Sequence, residues 1–400
     1  MLKKALLTFV FVLLSASLVF AAGPFKDGVS NDTIKVGAFL AKSGPVAGIG
    51  LNVEKGYLAA INNINKKGGV HGRKIEVVFA DDGFNPAKTT VEVKRMVESD
   101  NVFAIYGLGT PGILAVMDYL NEKGVPFVGP SGGGNKLSNP PKKYVFPFQP
   151  NNLLESNVWA TYLVERKKAK RIAIVYRNVE DGIDSFNGLT NSLKKYNQTL
   201  VAAIPVKPTD TDFSTILPTL IAAKPDAIVF HLFIPQSSNF VKQAKQFGLK
   251  DVTYLTNYAN PDPVYVKLAG DASDGVEATA WAVANIFDVN DPFTKIFRET
   301  YPNEMPTAYA AGGFVAAELL ILGLQKAGKD LTRESFVAAM ESLNKVSAVV
   351  ANEVTYKKLD VNDPTCRFGK NSMYVLKVRK GQFVAPPGQT AENMWIYYKK

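Results

Sequence analysis

The sequence predicts an α/β protein of two similar lobes, each a parallel sheet covered by helices. Three observations carry this expectation. Short apolar runs rich in Val, Ile and Phe alternate with amphipathic stretches of helical length. The series occurs twice. The chain of 400 residues also exceeds what one hydrophobic core usually serves, and no low-complexity linker divides it.

In the first series, IKVGAFL (34–40) leads through a Gly-rich loop to a helix with Val53, Tyr57, Ala60, Ile61 and Ile64 on one face. KIEVVFADD (74–82) leads to a helix opened by Pro86, VFAIYG (102–107) to one opened by Pro111, and VPFVGP (125–130) closes the half. A proline suits a first helical turn, where its missing N–H has no partner anyway. In the second series, RIAIVYR (171–177), TLVAAIPV (199–206) and DAIVFHLF (226–233) each precede a helix, the last two starting near Asp212 and at Pro235. DVTYL (251–255) then repeats the part of VPFVG. Continuous apolar strands alternating with helices mean a parallel sheet with both faces covered.

Residues 1–22, MLKKALLTFVFVLLSASLVFAA, place Lys3 and Lys4 before an uncharged run and then small residues. This is the pattern of a secretory signal peptide cleaved near Ala21 or Ala22, so the mature protein is expected in the periplasm. A membrane anchor is disfavoured because no charged stop-transfer cluster follows Phe20, and no cysteine marks a lipidation site. Without Lys3 and Lys4 the chain keeps 44 basic residues (46 less two) against 36 acidic ones. The lysines fall in scattered pairs such as Lys66-Lys67 and Lys194-Lys195, with no stripe of interleaved aromatics, so no nucleic-acid partner is expected. Cys366 is the single cysteine and cannot form an internal disulfide; it should be buried or else a reactive thiol.

Two enzyme motifs need testing. Gly107-x-Gly109-x-x-Gly112 follows a strand and opens a helix, but the next strand ends in Gly129-Pro130-Ser131 where a dinucleotide site needs an acid. Gly129-x-Ser131-x-Gly133 matches the nucleophile-elbow string, with Asp226 and His231 following in hydrolase order. Those two flank one short strand at i and i+5, so they point to opposite faces and make no base-and-orienter pair. His71 lies in the turn GGVHGRK. Two histidines and one cysteine leave no transition-metal cluster, and no phosphate-binding G-x-x-x-x-G-K-[ST] loop exists. No catalysis, cofactor or metal is expected; an exported hydrolase using Ser131 is the weak alternative.

In open parallel sheets, ligands bind beyond the carboxyl ends of the strands. The loops there are 41–50, 107–112, 129–135, 177–184, 233–238 and 256–262, and glycine is dense in the first three. Helix N-termini beside such loops favour an anion, typically a carboxylate.

IKVGAFLAKSGPVAGIG, GGVHGRKIEVVFADDGFNPAKT and LNEKGVPFVGPS, followed by KPDAIVF, VKQAKQFGLK and DPVYVKLAGDASDGV, occur in order from Ile34 to about Leu343. Together they resemble the branched-chain amino acid and amide family of periplasmic binding proteins. The resemblance implies a type I clamshell with three hinge crossovers, placed near 149, 282 and 350. Lobe 1 would then comprise 23–148 plus 282–350, and lobe 2 149–281 plus 351–400. It also implies a monomeric receptor handing a small molecule to the membrane permease of an ATP-driven importer. A sensory receptor signalling to a membrane partner would need the same clamshell.

The family holds its ligand's carboxylate with two Ser/Thr segments. Thr110, after Gly109, matches the first and Ser131 the second; Gly132-Gly133-Gly134 stand where a threonine is usual. Amino-acid binders pair the ligand's ammonium with an acid of the second lobe, where the nearest position here is Tyr258. Phe233 stands where a ligand-facing tyrosine is common, and Ile49 where an aromatic often covers the ligand. Asp181 or Glu180, read as part of a polar loop, are the candidates to supply the missing charge. A buried ammonium without an acidic partner is expensive. The expected ligand is therefore a carboxylate with an apolar or aromatic body, with amino acids still open.

Overall fold

Two sheets repeat one strand order. In the computed structural model, which describes residues 27–386 and 394–399 apart from positions 45, 283 and 287, the expected signal peptide lies outside the described residues. The first sheet comprises β1 (Thr33–Leu40), β2 (Lys74–Asp81), β3 (Ile105–Gly107), β4 (Phe127–Val128) and β5 (Val145–Phe146) in the order β2-β1-β3-β4-β5, all parallel. Helices α1 (Ala47–Lys66), α2 (Pro86–Glu98) and α3 (Thr110–Glu122) make its crossovers.

After α4 (Asn152–Thr161), the second sheet runs β6 (Ile172–Arg177), α5 (Glu180–Lys194), β7 (Ala202–Val206), α6 (Leu217–Ala223), β8 (Ala227–His231), α7 (Ile234–Gln246), β9 (Thr253–Thr256), α8 (Pro263–Ala269) and β10 (Glu277–Ala280). The order β7-β6-β8-β9-β10 repeats that of the first sheet, strand for strand. The chain then returns to the first lobe as α9 (Pro292–Thr300), α10 (Ala308–Ala327) and α11 (Arg333–Glu341). It ends in the second, where β11 (Ser372–Arg379) pairs antiparallel with β10 and carries β12 (Gln382–Val384) and β13 (Ile396–Tyr397) on its flanks. Thus the backbone passes between lobes within 146–152, 280–292 and 341–372.

Small residues set the helix packing. On α1, a Cβ at Gly56 would sit 1.8 Å from the Ala310 carbonyl oxygen, and on α10 a Cβ at Gly313 would sit 2.0 Å from that of Val53. Those two helices approach so closely that only hydrogen fits between their backbones. Helix α10 is long and apolar enough to cross a membrane, yet it is mostly buried as a core helix of the first lobe. Cys366 is buried, its thiol directed at the Asp360 carbonyl oxygen.

Sequence reading missed β5, α4, β10, helices α8 to α11 and the three C-terminal strands. It also began α6 at Asp212, whereas the helix starts at Leu217. Glu180 and Asp181 are not loop residues either: they form the first turn of α5, where acids suit the positive end of the helix.

Candidate functional site

The carboxyl ends of both sheets face one cavity of about 480 Å³ between the lobes. All nine residues expected at a site line it: Ile49, Gly109, Thr110, Ser131, Gly132, Gly133, Asp181, Phe233 and Tyr258.

The first-lobe wall is mostly backbone. Thr110 opens α3 with Pro111 behind it, so the first N–H groups of that helix have no intrahelical acceptor. The β4 loop lies against this end: a Cβ on Gly132 would meet Thr110 Oγ1 at 2.8 Å and its backbone N at 3.2 Å. A Cβ on Gly133 would meet Asn152 Oδ1 at 2.7 Å, and one on Gly134 would meet Thr110 Cγ2 at 2.7 Å. A side chain at any of the three would have to displace Thr110 or Asn152, and as glycines they leave an uncapped helix start facing the cavity. Ser131 is buried with its hydroxyl engaged: it accepts from the Tyr106 hydroxyl at 3.1 Å and donates to the Gly129 carbonyl at 3.3 Å. Apolar cover comes from Val46, Ile49 and Val53, and from Phe84, which the sequence did not flag. Phe84 holds φ +62°, a strained value for a bulky residue, with its N–H donated to Asp82 Oδ1 at 2.9 Å. Its ring occupies the space beside Gly109, where a Cβ would fall 2.5 Å from it.

The second-lobe wall is built of side chains. Arg177 ends β6 and His231 ends the neighbouring β8, so both emerge beside the N-terminus of α5. The Arg177 guanidinium lies 3.9 Å from the centroid of the Phe233 ring, and its Nη1 donates to Asp181 Oδ2 at 2.9 Å. Asn152 Nδ2 donates to the Asp181 carbonyl oxygen at 2.9 Å. Burial brings His231 down to about 4, with nearby Asp181 and Arg177 acting in opposite directions, so the imidazole is neutral at pH 7. Glu180, the other acid lining the cavity, is bridged across the cleft to Lys136 at 3.0 Å. A second contact between lobes joins the Asn135 N–H to Asp184 Oδ2 at 3.2 Å.

Where the lobes join, Gln149 Nε2 donates to the Tyr258 hydroxyl at 2.6 Å, and the Tyr258 N–H donates to Glu155 Oε1 at 2.8 Å. Glu155 is fully buried, and desolvation pushes its carboxyl up to about 8, against hydrogen bonds that favour the anion. At neutral pH it carries its proton and presents no charge to the cavity.

Asp181, the candidate partner for a ligand ammonium, is paired with Arg177. The hydrolase alternative fails. Asp226 accepts from the backbone N–H groups of Lys170 and Arg171 at the far end of the strand from His231, and the Ser131 hydroxyl bonds Tyr106 and a carbonyl. His71 is exposed on a turn, its ring 3.0 Å from the Gln325 carbonyl oxygen. Among the described residues no group of three or more His, Cys, Asp or Glu is placed to hold a metal.

Comparison with known proteins agrees with this architecture. Residues 33–382 match a family described as periplasmic binding protein. A Leu/Ile/Val-binding protein homolog of Brucella melitensis is 25% identical over 357 residues, 88% of this chain and 94% of that protein. Among solved structures, a branched-chain amino acid transporter substrate binding protein from Streptococcus pneumoniae, in complex with isoleucine, is 21% identical with TM-score 0.72, covering 89% of this chain and all of its own. A solute-binding protein of an ABC transporter from R. palustris, in complex with benzoate, is 22% identical, also with TM-score 0.72, covering 88% of this chain and 95% of its own.

Proposed function

The chain belongs to the periplasmic binding protein family, and from that premise we propose that it is an extracytoplasmic receptor delivering a carboxylate with an apolar or aromatic body to the permease of an ATP-driven importer. It is a solute receptor and not an enzyme. One observation carries the ligand class: the cavity pairs an uncapped helix start among glycines with a wall whose two acids, Asp181 and Glu180, are already matched to Arg177 and Lys136. A carboxylate finds donors there, and an ammonium finds no free acid. One structural relative was solved with benzoate, a carboxylate with an aromatic body and no ammonium; another relative is named for branched-chain amino acids, which share the carboxylate and apolar body but add an ammonium.

Binding follows from the two-lobed shape. Ligand seats on the first-lobe wall, the hinges near 149, 282 and 350 close, and the second wall completes the enclosure. Export would be directed by the signal peptide expected at residues 1–22. A ligand that binds only the native fold stabilises it by about 2.7 kcal/mol at a hundredfold excess over Kd. A thermal-shift screen of aromatic acids, aliphatic acids, amino acids and their methyl esters tests the proposal. The free acids should raise Tm progressively, with the logarithm of concentration above Kd, and the esters should not. Hits confined to sugars, nucleotides or esters would refute it.

A further inference from the structure

The proposed function leaves one group of the cavity unused. Among the described residues lining the cavity, Arg177 is the only cationic side chain. It sits three residues before α5, beside the positive end of that helix, where a cation is disfavoured. Asp181 accepts one of its donors, from Nη1; Nε and Nη2 have no protein partner among the described residues, and the side chain keeps 14% exposure. Stacking on Phe233 fixes the guanidinium plane and leaves its edge free to donate. Other polar atoms at this end also lack partners: His231 Nδ1 and Asn152 Oδ1 are buried with no hydrogen bond. The second-lobe wall thus holds more hydrogen-bonding capacity than the protein itself uses, and buried polar groups normally find partners.

We propose that Arg177, held by Phe233 and Asp181, is a specificity-determining residue that receives a neutral oxygen at the end of the ligand opposite its carboxylate. The inference rests on the carboxylate reading above and deepens it from an apolar acid to an apolar acid with a hydroxyl or carbonyl at its far end. Charge selects the neutral group. Asp181 already neutralises the guanidinium, Lys136 neutralises Glu180, and His231 is uncharged, so a second carboxylate meets a wall with no net positive charge to receive it.

Titration calorimetry with two series of acids tests this. One series is 3-phenylpropanoate, 3-(4-hydroxyphenyl)propanoate and 3-(4-carboxyphenyl)propanoate; the other is hexanoate, 6-hydroxyhexanoate and adipate. The hydroxyl should tighten binding roughly tenfold or more over the unsubstituted acid in at least one series, as a charge-assisted hydrogen bond does. The second carboxylate should bind more weakly than the hydroxyl. In Arg177→Met the ratio between hydroxylated and plain acid should collapse below about threefold, and Arg177→Lys should restore part of it. A ratio unchanged in Arg177→Met, or none in the wild type, overturns the inference and leaves the carboxylate reading standing. Failure of every acid to bind overturns both.

Discussion

The two walls of the cavity solve recognition with different materials. On the first lobe, polar contact comes from backbone: a helix start at Thr110 and the run Gly132-Gly133-Gly134, with apolar side chains around them. On the second it comes from side chains at the ends of β6 and β8, where Arg177, Asp181, His231 and Phe233 hold one another in place. Since the lobes share one strand order, topology does not explain the difference. A backbone cradle recognises a group common to many ligands. Side chains can be exchanged without disturbing the fold, so they are where one receptor comes to differ from another.

Filling the backbone cradle should break the comparison most severely. In Gly132→Val the new side chain enters space held by Thr110, so carboxylate affinity should fall on the order of a hundredfold, about 2.7 kcal/mol. Calorimetry with whichever acid stabilises the wild type reads this directly. Affinity within threefold of wild type would place the carboxylate elsewhere.

The next effect concerns stability behind the second wall. Burial raises the carboxyls of Glu155 to about 8 and of Glu318 to about 7, whereas both are ordinary acids in the unfolded chain. The native state therefore binds protons that the unfolded state has released, and stability is lost as pH rises from about 5 to 8. His231, lowered to about 4, acts in the opposite sense below about 6.5. Glu155→Gln mimics the protonated acid and should reduce the loss between pH 6.5 and 8 by on the order of 2 kcal/mol. Urea unfolding at the two pH values measures it, and an unchanged slope would mean that Glu155 titrates normally.

Much of the fold was legible because strands buried on both faces are written as unbroken apolar runs, as in IAIVYR and AIVFH. Helix α4 and strand β10, both missed, lack that signature. Helix α4 buries Asn152, Glu155, Ser156 and Asn157: Asn152 and Ser156 donate to carbonyl oxygens of α5, Glu155 accepts from the Tyr258 N–H and Asn157 pairs with Lys399, so its inward face reads as polar. Strand β10 begins with Glu277, a buried acid bridged to Lys167 and Lys377 from distant parts of the chain. In the site, glycines and a helix-opening proline announced the first wall. Arg177 gave no comparable signal: a cation ending an apolar strand is ordinary, and Phe233, which fixes its role, lies far along the chain. Phe84 was hidden similarly, since its strained φ is a property of the folded loop.

Removing the charge that masks Arg177 should sharpen the contrast. With Asp181→Asn the second wall gains net positive charge, and 3-(4-carboxyphenyl)propanoate should bind about tenfold more tightly relative to 3-phenylpropanoate. Loss of an acid from the first turn of α5 should cost about 0.5 kcal/mol of stability, visible as a small drop in Tm. A relative affinity unmoved by the change would show that the guanidinium edge does not reach the ligand.

The smallest expected effect separates backbone from side chain within the first wall. Ser131 lies where the family resemblance expects a carboxylate donor, yet its single hydroxyl proton is directed at the Gly129 carbonyl at 3.3 Å and its oxygen accepts from Tyr106 at 3.1 Å. Ser131→Ala removes those bonds and leaves the buried Tyr106 hydroxyl without this acceptor, which should cost about 1 kcal/mol of stability. The backbone N–H groups around it are untouched, so carboxylate affinity should change less than about threefold, under roughly 0.7 kcal/mol. Thr110→Val, which removes a hydroxyl at the helix start itself, should cost more affinity than Ser131→Ala and less than Gly132→Val. Urea unfolding and calorimetry on the same preparations read the two quantities separately. A tenfold loss of affinity in Ser131→Ala would mean that the hydroxyl turns toward the ligand on binding, and that the first wall also recognises through side chains.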